Sequence, residues 1–176
     1  GATTDEGRAR LAGIKDRLAN YSAIFETVVA SRERRDVASA EINKLGSDLE
    51  KKLTGIMAEA NEAYDAELAY KAGQVLRSLL IPRAELNRYL LDQQAETCAL
   101  VEAEKEPLDT SFEDLLGNLQ FGQDDELTEA LKTSVAAYQQ GLLSVRDLVV
   151  SLNGILAEEL EPAAAAILAD AAGAYE

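Results

Sequence analysis

The sequence predicts an all-α fold, an elongated antiparallel bundle of long, rod-like helices. Aromatic residues make up 5% of the 176 residues and tryptophan is absent, whereas Ala, Leu and Glu dominate, as is typical of long helices. The chain has only three prolines to interrupt such helices. Apolar residues also recur at alternating steps of three and four, which places them on one helical face. At this length we expect a single domain over 1–176.

The first helix is predicted to begin near Thr4 to Gly7 and to continue past Ile56. No proline interrupts this stretch, and a turn at Gly46 is the alternative to a continuous helix. About 50 residues at 1.5 Å each would form a rod of about 75 Å. The heptad stripe that supports it consists of Ile14, Leu18, Tyr21, Phe25, Val28, Arg32, Arg35, Ser39, Ile42, Gly46, Leu49, Leu53 and Ile56.

Two shorter helical segments are predicted in the middle of the chain. The second segment runs from about Glu62 to Val101, and Pro82 is expected to bend it or to divide it. The third runs from Pro107 to Leu119 and carries its apolar residues on one face. Proline is favoured in the first turn of a helix, so Pro107 marks its beginning.

A long final helix is predicted after an N-cap at Asp124 or Asp125, with a kink or local break at Pro162. A shift of 117 residues superposes its stripe on that of the first helix and brings Tyr138 onto Tyr21. This weak internal repeat reflects either a duplication or the shared heptad period. Beyond the tyrosines the copies differ: Arg32, Arg35 and Ser39 correspond to Val149, Leu152 and Leu156.

Arginines on predicted helices are the strongest indication of a binding site. The heptad stripe of the first helix would carry Arg32, Arg35 and Ser39 into a bundle seam, where burying a guanidinium costs several kcal/mol unless an anion meets it. A guanidinium can bind a carboxylate through two parallel hydrogen bonds, so converging arginines would hold a small organic acid. The alternative is that the charged residues from Arg32 to Asp36 form a solvated cluster of ordinary ion pairs. The candidate ligand-binding residues are Arg32, Arg35 and Ser39 on the first helix and Arg77, Arg83 and Arg88 on the second segment.

Composition argues against several other functions. The net charge is −15, and residues 89–176 contain 18 acidic and three basic side chains, which disfavours binding to nucleic acid. Histidine is absent and Cys98 is the single cysteine, so we expect no metal site, no cofactor and no enzyme activity based on a triad. Cys98 is expected to be a small buried hydrophobe.

Three stretches of the sequence form a recognisable pattern: Tyr21-x-x-x-Phe25-x-x-Val28-Val29 with Leu45-Gly46, Arg83-Ala-Glu85-Leu-Asn-Arg88-Tyr89-Leu90, and Tyr138 to Val149 with Asn153 and Glu161-Pro162. This pattern resembles the extracytoplasmic helical-bundle sensor domains of bacterial methyl-accepting chemotaxis receptors and sensor kinases. The resemblance implies a bundle of the four-helix or helical bimodular type that binds a small molecule. By this motif Arg83 and Arg88 would be ligand arginines.

The resemblance also implies a periplasmic domain of an inner-membrane protein, part of a longer receptor with flanking membrane helices, that forms a homodimer. We therefore expect a chemoreceptor sensor domain that binds an organic acid and passes a signal to the membrane. The alternative is a structural or partner-binding, coiled-coil-like bundle without a small ligand. In that case the arginines would pair with carboxylates of the acidic second half.

Overall fold

The computed structural model describes residues 5–120 and 125–172, and helices make up nearly all of these ranges. No strand occurs in them, so the all-α helical-bundle prediction is confirmed. Within the same ranges, no helix is both long enough and apolar enough to cross a membrane. The elements are α1 (Asp5–Glu62), α2 (Ala66–Asp92), α3 (Ala95–Ala103), α4 (Lys105–Gln120), α5 (Asp125–Ile155), a π-helical turn (Leu156–Leu160) and α6 (Glu161–Ala172).

The first helix is continuous through Gly46 and ends in a tight reversal. Tyr64 has a φ of 59°, and the Asp65 N–H donates to the Ala60 carbonyl oxygen at 2.8 Å, as in a Schellman motif. The Asp65 carboxylate then accepts a hydrogen bond from the Leu68 N–H at 2.9 Å and caps α2. These local bonds return the chain antiparallel to α1.

The second predicted segment is interrupted, but not where the proline predicts. α2 continues through the buried Pro82 and ends at Asp92. Gln93 then adopts a φ of 53°, a left-handed conformation. The Asp92 carboxylate accepts hydrogen bonds from the Gln94 N–H at 3.0 Å and the Thr97 hydroxyl at 2.9 Å, which begins α3 as a separate helix.

The chain consists of two compact units. The bundle unit is Val37–Asp147, and the two-segment unit contains Gly1–Asp36 and Leu148–Glu176. Helices α1 and α5 contribute residues to both units. The predicted N-cap at Asp124 lies outside the described residues, and α5 is described from Asp125.

Close contacts between helices hold the bundle unit together. On the α1–α5 side, a Cβ added at Gly141 would lie 2.8 Å from Cγ1 of Ile42, which indicates close helix packing. The Tyr138 hydroxyl of α5 donates to the Leu79 carbonyl oxygen of α2 at 3.1 Å. The core contains Ile42, Leu49, Leu53, Ile56, Ala72, Val75, Leu79, Leu86, Leu108, Phe112, Leu115, Leu131, Val135, Tyr138, Leu142 and Val145.

The two-segment unit joins the first part of α1 to residues 148–172. Arg17 forms an ion pair with Asp170 at 3.1 Å and donates to the Ala166 carbonyl oxygen at 3.4 Å. The predicted break at Pro162 takes the form of a π-helical turn, in which the Glu161 N–H bonds to the Leu156 carbonyl oxygen. Because proline lacks an N–H, this wider turn accommodates it without ending the helical segment.

Candidate functional site

A groove of about 700 Å³ opens between α2 and the α3–α4 pair, within the bundle unit. Most of its lining residues have polar side chains, and Ile81, Ala103 and Pro107 are apolar. The α2 wall consists of Tyr70, Lys71, Gln74, Arg77, Ser78 and Ile81, and the facing wall of Ala103, Glu104, Glu106, Pro107, Thr110, Ser111 and Asp114.

Helical spacing places these side chains beside the core. On α2 the core positions Ala72, Val75 and Leu79 recur at steps of three and four. The positions immediately before them, Lys71, Gln74 and Ser78, are half-buried and line the groove. On α4 the half-buried Ser111 precedes the buried Phe112 in the same manner. The groove is therefore the polar border of the α2–α4 interface.

The two cations of the groove differ in their surroundings. Lys71 Nζ donates to Asn118 Oδ1 at 3.0 Å and pairs with Glu67 Oε1 at 3.0 Å. The hydrogen bond from Lys71 lowers the pKa of the Glu67 carboxyl. Arg77 is exposed and forms no hydrogen bond or ion pair with any residue in 5–120 or 125–172. Its guanidinium is therefore available to a ligand in the groove.

The facing wall is acidic, with the carboxylates of Glu104, Glu106 and Asp114. Together with Lys71 and Arg77 the groove carries two basic and three acidic side chains. A carboxylate group of a ligand would be attracted by Arg77, and hydroxyl or amino groups of the same ligand would donate to the facing carboxylates. This arrangement suits a small polar acid and opposes a ligand with several negative charges.

The predicted arginine layer of α1 is not a buried cluster. Arg32 is exposed, so the expectation that it enters a bundle seam is wrong. Arg35 is 20% exposed, and its Nε and Nη2 atoms donate to Asp36 Oδ1 at 2.9 and 2.7 Å. Both residues belong to the two-segment unit, whereas the half-buried Ser39 belongs to the bundle unit.

The other predicted arginines of α2 have separate environments. Arg83 is half-buried, and its Nε donates to Asn43 Oδ1 of α1 at 3.1 Å. The side chain of Arg88 is 63% exposed and lies 3.8 Å from a Glu85 carboxylate oxygen and 3.4 Å from one of Asp92. Of the six predicted ligand-binding residues, Arg77 is the one that lines the groove.

Sequence reasoning missed the neutral side chains that accompany Arg77. Tyr70, Gln74 and Ser78 follow one another at four-residue steps, and the Gln74 amide donates to the Tyr70 hydroxyl oxygen. A polar stripe next to the apolar stripe of α2 was the available signal. The facing Thr110 and Ser111 give no comparable signal, because their role depends on how α4 packs against α2.

The described residues include no group of three or more His, Cys, Asp or Glu side chains that could hold a metal ion. Cys98 is half-buried rather than fully buried. Burial and the neighbouring Cys98 raise the pKa of Tyr89 to about 12. Comparison with protein-family models, with curated proteins and with solved structures gives no match.

Proposed function

We propose that this chain is the ligand-binding sensor domain of a bacterial transmembrane chemoreceptor or sensor kinase, and that the α2–α4 groove binds a small organic acid. The observation that carries the proposal is the guanidinium of Arg77, which lies in the groove without an intramolecular partner among the described residues. The full-length receptor would place this domain in the periplasm between two membrane helices. The proposed role is binding and signalling, without catalysis.

The size and lining of the groove support a small molecule as the ligand. Ligand pockets in proteins typically have volumes of about 300–1,000 Å³ and use a few polar groups to orient the ligand. In this groove Arg77 would bind the carboxylate, and Gln74 and Ser78 on the same wall would donate or accept further hydrogen bonds. The three facing carboxylates favour an acid that also carries hydroxyl or amino groups.

A signal requires that the ligand bind two conformations with different affinities. A ligand that bridges Arg77 on α2 to Thr110 or Asp114 on α4 would favour the spacing of these helices that suits its length. Small shifts of packed helices are a known form of signalling change. In the proposed receptor this shift would be passed on to the membrane through the long helices.

A structural or partner-binding bundle without a small ligand is the second candidate. The ion pairs of three arginines favour it, because Arg35, Arg88 and Arg146 are all paired with carboxylates. For Arg146 the partner, Glu102, lies 44 residues away on α3, and this pair joins α3 to α5. These contacts stabilise helix packing and need no ligand.

A thermal-shift screen against small organic acids, hydroxy acids and amino acids tests the proposal. A ligand at 100 times its Kd stabilises the folded state by about 2.7 kcal/mol. At about 2–4 °C per kcal/mol for a chain of this length, the Tm should rise by about 5–11 °C. Arg77→Ala should abolish this shift but leave the Tm without ligand nearly unchanged, because the side chain has no partner among the described residues.

Arg34→Ala is the matched control, because Arg34 is also exposed but lies outside the bundle unit. It should keep the full ligand shift. A shift that persists in Arg77→Ala and disappears in Arg83→Ala or Arg88→Ala would place the ligand elsewhere on α2. No shift with any acid would favour the structural bundle.

A further inference from the structure

The outward face of α2 carries a second regular row of residues, away from the core positions of this helix. Its members recur at alternating steps of three and four, the spacing of a helix that packs against another helix. Tyr70, Leu80 and Leu91 in this row are 65%, 40% and 87% exposed. We call it the outer α2 row, and it consists of Tyr70, Gly73, Arg77, Leu80, Ala84, Asn87 and Leu91.

The surface along the outer α2 row has the shape that a packed helix requires. In coiled coils each apolar side chain of one helix inserts between four residues of the other, at i, i+3, i+4 and i+7. Two such sets overlap on α2, residues 73, 76, 77 and 80, and residues 77, 80, 81 and 84. An open depression of about 450 Å³ lies over both sets and is lined by Gly73, Leu76, Arg77, Leu80, Ile81 and Ala84. It therefore has the place and the lining to receive two successive side chains of a facing helix.

The charge along the outer α2 row is opposite in sign to that of the whole chain, which carries a net charge of −15. Between residues 69 and 91, the row and the positions that flank it contain three arginines and no acidic residue. Arg77 and Arg83 lie three residues before and after Leu80, and neither forms an ion pair with a carboxylate in 5–120 or 125–172. Because three residues correspond to about 60° around a helix, the two arginines flank Leu80 on opposite sides.

We propose that an acidic amphipathic helix of a partner protein packs along the outer α2 row. From Tyr70 to Leu91 the row spans about 32 Å at about 1.5 Å per residue, which suits a partner helix of about three heptads. Apolar side chains of the partner enter the depression, and its carboxylates meet Arg77, Arg83 and Arg88. The same row of a second copy is a poor partner, because it would bring two sets of three arginines together.

This interaction is separate from the binding of an acid in the α2–α4 groove. Arg77 lines both the groove and the depression, whereas Leu80 lines the depression but not the groove. A substitution of Leu80 therefore tests the helix interaction without altering the proposed acid site. Leu80→Glu should keep any thermal shift that an organic acid gives, so the two proposals can fail independently.

Fluorescence anisotropy with two labelled synthetic peptides and the whole chain tests the proposal. The first peptide has about three heptads, with Leu at positions a and d and Glu at e and g; the second has Lys in place of each Glu. The Glu peptide should bind saturably and about tenfold or more tighter than the Lys peptide. The net charge of −15 by itself favours the Lys peptide. Tighter binding of the Lys peptide, or no saturable binding of the Glu peptide, would overturn the proposal.

Leu80→Glu locates the peptide on the chain. It places a carboxylate in the depression and should weaken binding of the Glu peptide about tenfold or more. Leu100→Glu is the matched control, because Leu100 lies on α3 of the same unit, is 44% exposed and gains the same charge. It should bind the peptide as the parent does, and both variants should keep the helical circular dichroism of the parent. If Leu80→Glu binds the Glu peptide as tightly as the parent does, the peptide lies elsewhere and the proposal is wrong.

Two other occupants of the outer α2 row would give different results. Self-association of the parent that Leu80→Glu abolishes, measured by sedimentation velocity, would assign the row to a second copy. Binding of the parent, but not of Leu80→Glu, to vesicles of phosphatidylcholine and phosphatidylglycerol would assign it to a membrane surface. Either result would overturn the proposal. The predicted result is that Leu80→Glu leaves the association state unchanged and that the parent does not bind the vesicles.

Discussion

The buried Tyr138 hydroxyl gives a direct test of how the bundle unit is held together. Tyr138 is 0% exposed, and its hydroxyl donates to the Leu79 carbonyl oxygen at 3.1 Å. Leu79 is the middle residue of α2 and follows Ser78, whose carbonyl lacks its usual helical donor because Pro82 has no N–H. The hydrogen bond therefore links α5 to α2 at a place where the intrahelical bonding of α2 is incomplete.

The substitution Tyr138→Phe removes the hydroxyl and keeps the ring. A typical intramolecular hydrogen bond contributes about 1 kcal/mol, and an unsatisfied buried acceptor costs about 1–3 kcal/mol. Because the Leu79 carbonyl can also accept a helical hydrogen bond, we expect the lower part of this range, a loss of about 1–2 kcal/mol. At about 2–4 °C per kcal/mol, the Tm should fall by about 2–8 °C.

The internal repeat supplies the matched control. Tyr21 occupies the corresponding position in the first copy, is half-buried, and its hydroxyl bonds to no described residue. Tyr21→Phe should change stability by less than about 0.5 kcal/mol. Urea unfolding followed by circular dichroism measures both variants. If Tyr138→Phe costs no more than Tyr21→Phe, the hydroxyl bond contributes nothing to the packing of α5 on α2.

Two further predictions concern packing and alkaline pH. Gly141→Ala should destabilise the chain by about 1–3 kcal/mol in urea unfolding, because its Cβ would lie 2.8 Å from Cγ1 of the β-branched Ile42. Gly55→Ala on α1 should instead stabilise the chain by about 0.4–1 kcal/mol, because its Cβ would meet no described atom within 4 Å. If both substitutions changed the free energy of unfolding by the same amount, the close α1–α5 packing would be contradicted. The pKa of Tyr89 is raised to about 12 from about 10, so the folded state holds this proton more tightly than the unfolded state. The contribution of this proton to the stability of the folded state is complete below pH 10 and is lost as the pH rises to about 12. Tyr89→Phe should therefore reduce the loss of stability at alkaline pH, which thermal unfolding measures.

The long helices could be predicted because their signals are local. The heptad stripe without a proline predicted α1, and the structure gives one helix from Asp5 to Glu62. The end of α2 could not be predicted, because it depends on Gln93 in a left-handed conformation and on the carboxylate of Asp92. Pro82 was expected to bend or divide α2. The helix continues through it, with the proline ring in the core.

The candidate site was only partly predictable. Arg77 was named from its place on the second helical segment, but the groove around it depends on the packing of α4 against α2. The predicted burial of Arg32 was wrong for a related reason. A heptad period shows which residues share a helix face, but the number of neighbouring helices decides how many rows of that face are buried. In the two-segment unit only one described segment adjoins α1.

The location of the ligand is the central claim, and amide chemical-shift mapping by NMR tests it most directly. The chain would be titrated with the acid that gives the largest thermal shift, with Arg77→Ala titrated in parallel. Shift changes that cluster on residues 70–81 and 103–114, and vanish in Arg77→Ala, are the predicted result. Changes centred on Arg32, Arg83 or Arg88 with these segments unaffected, or no saturable change, would contradict the proposed binding groove.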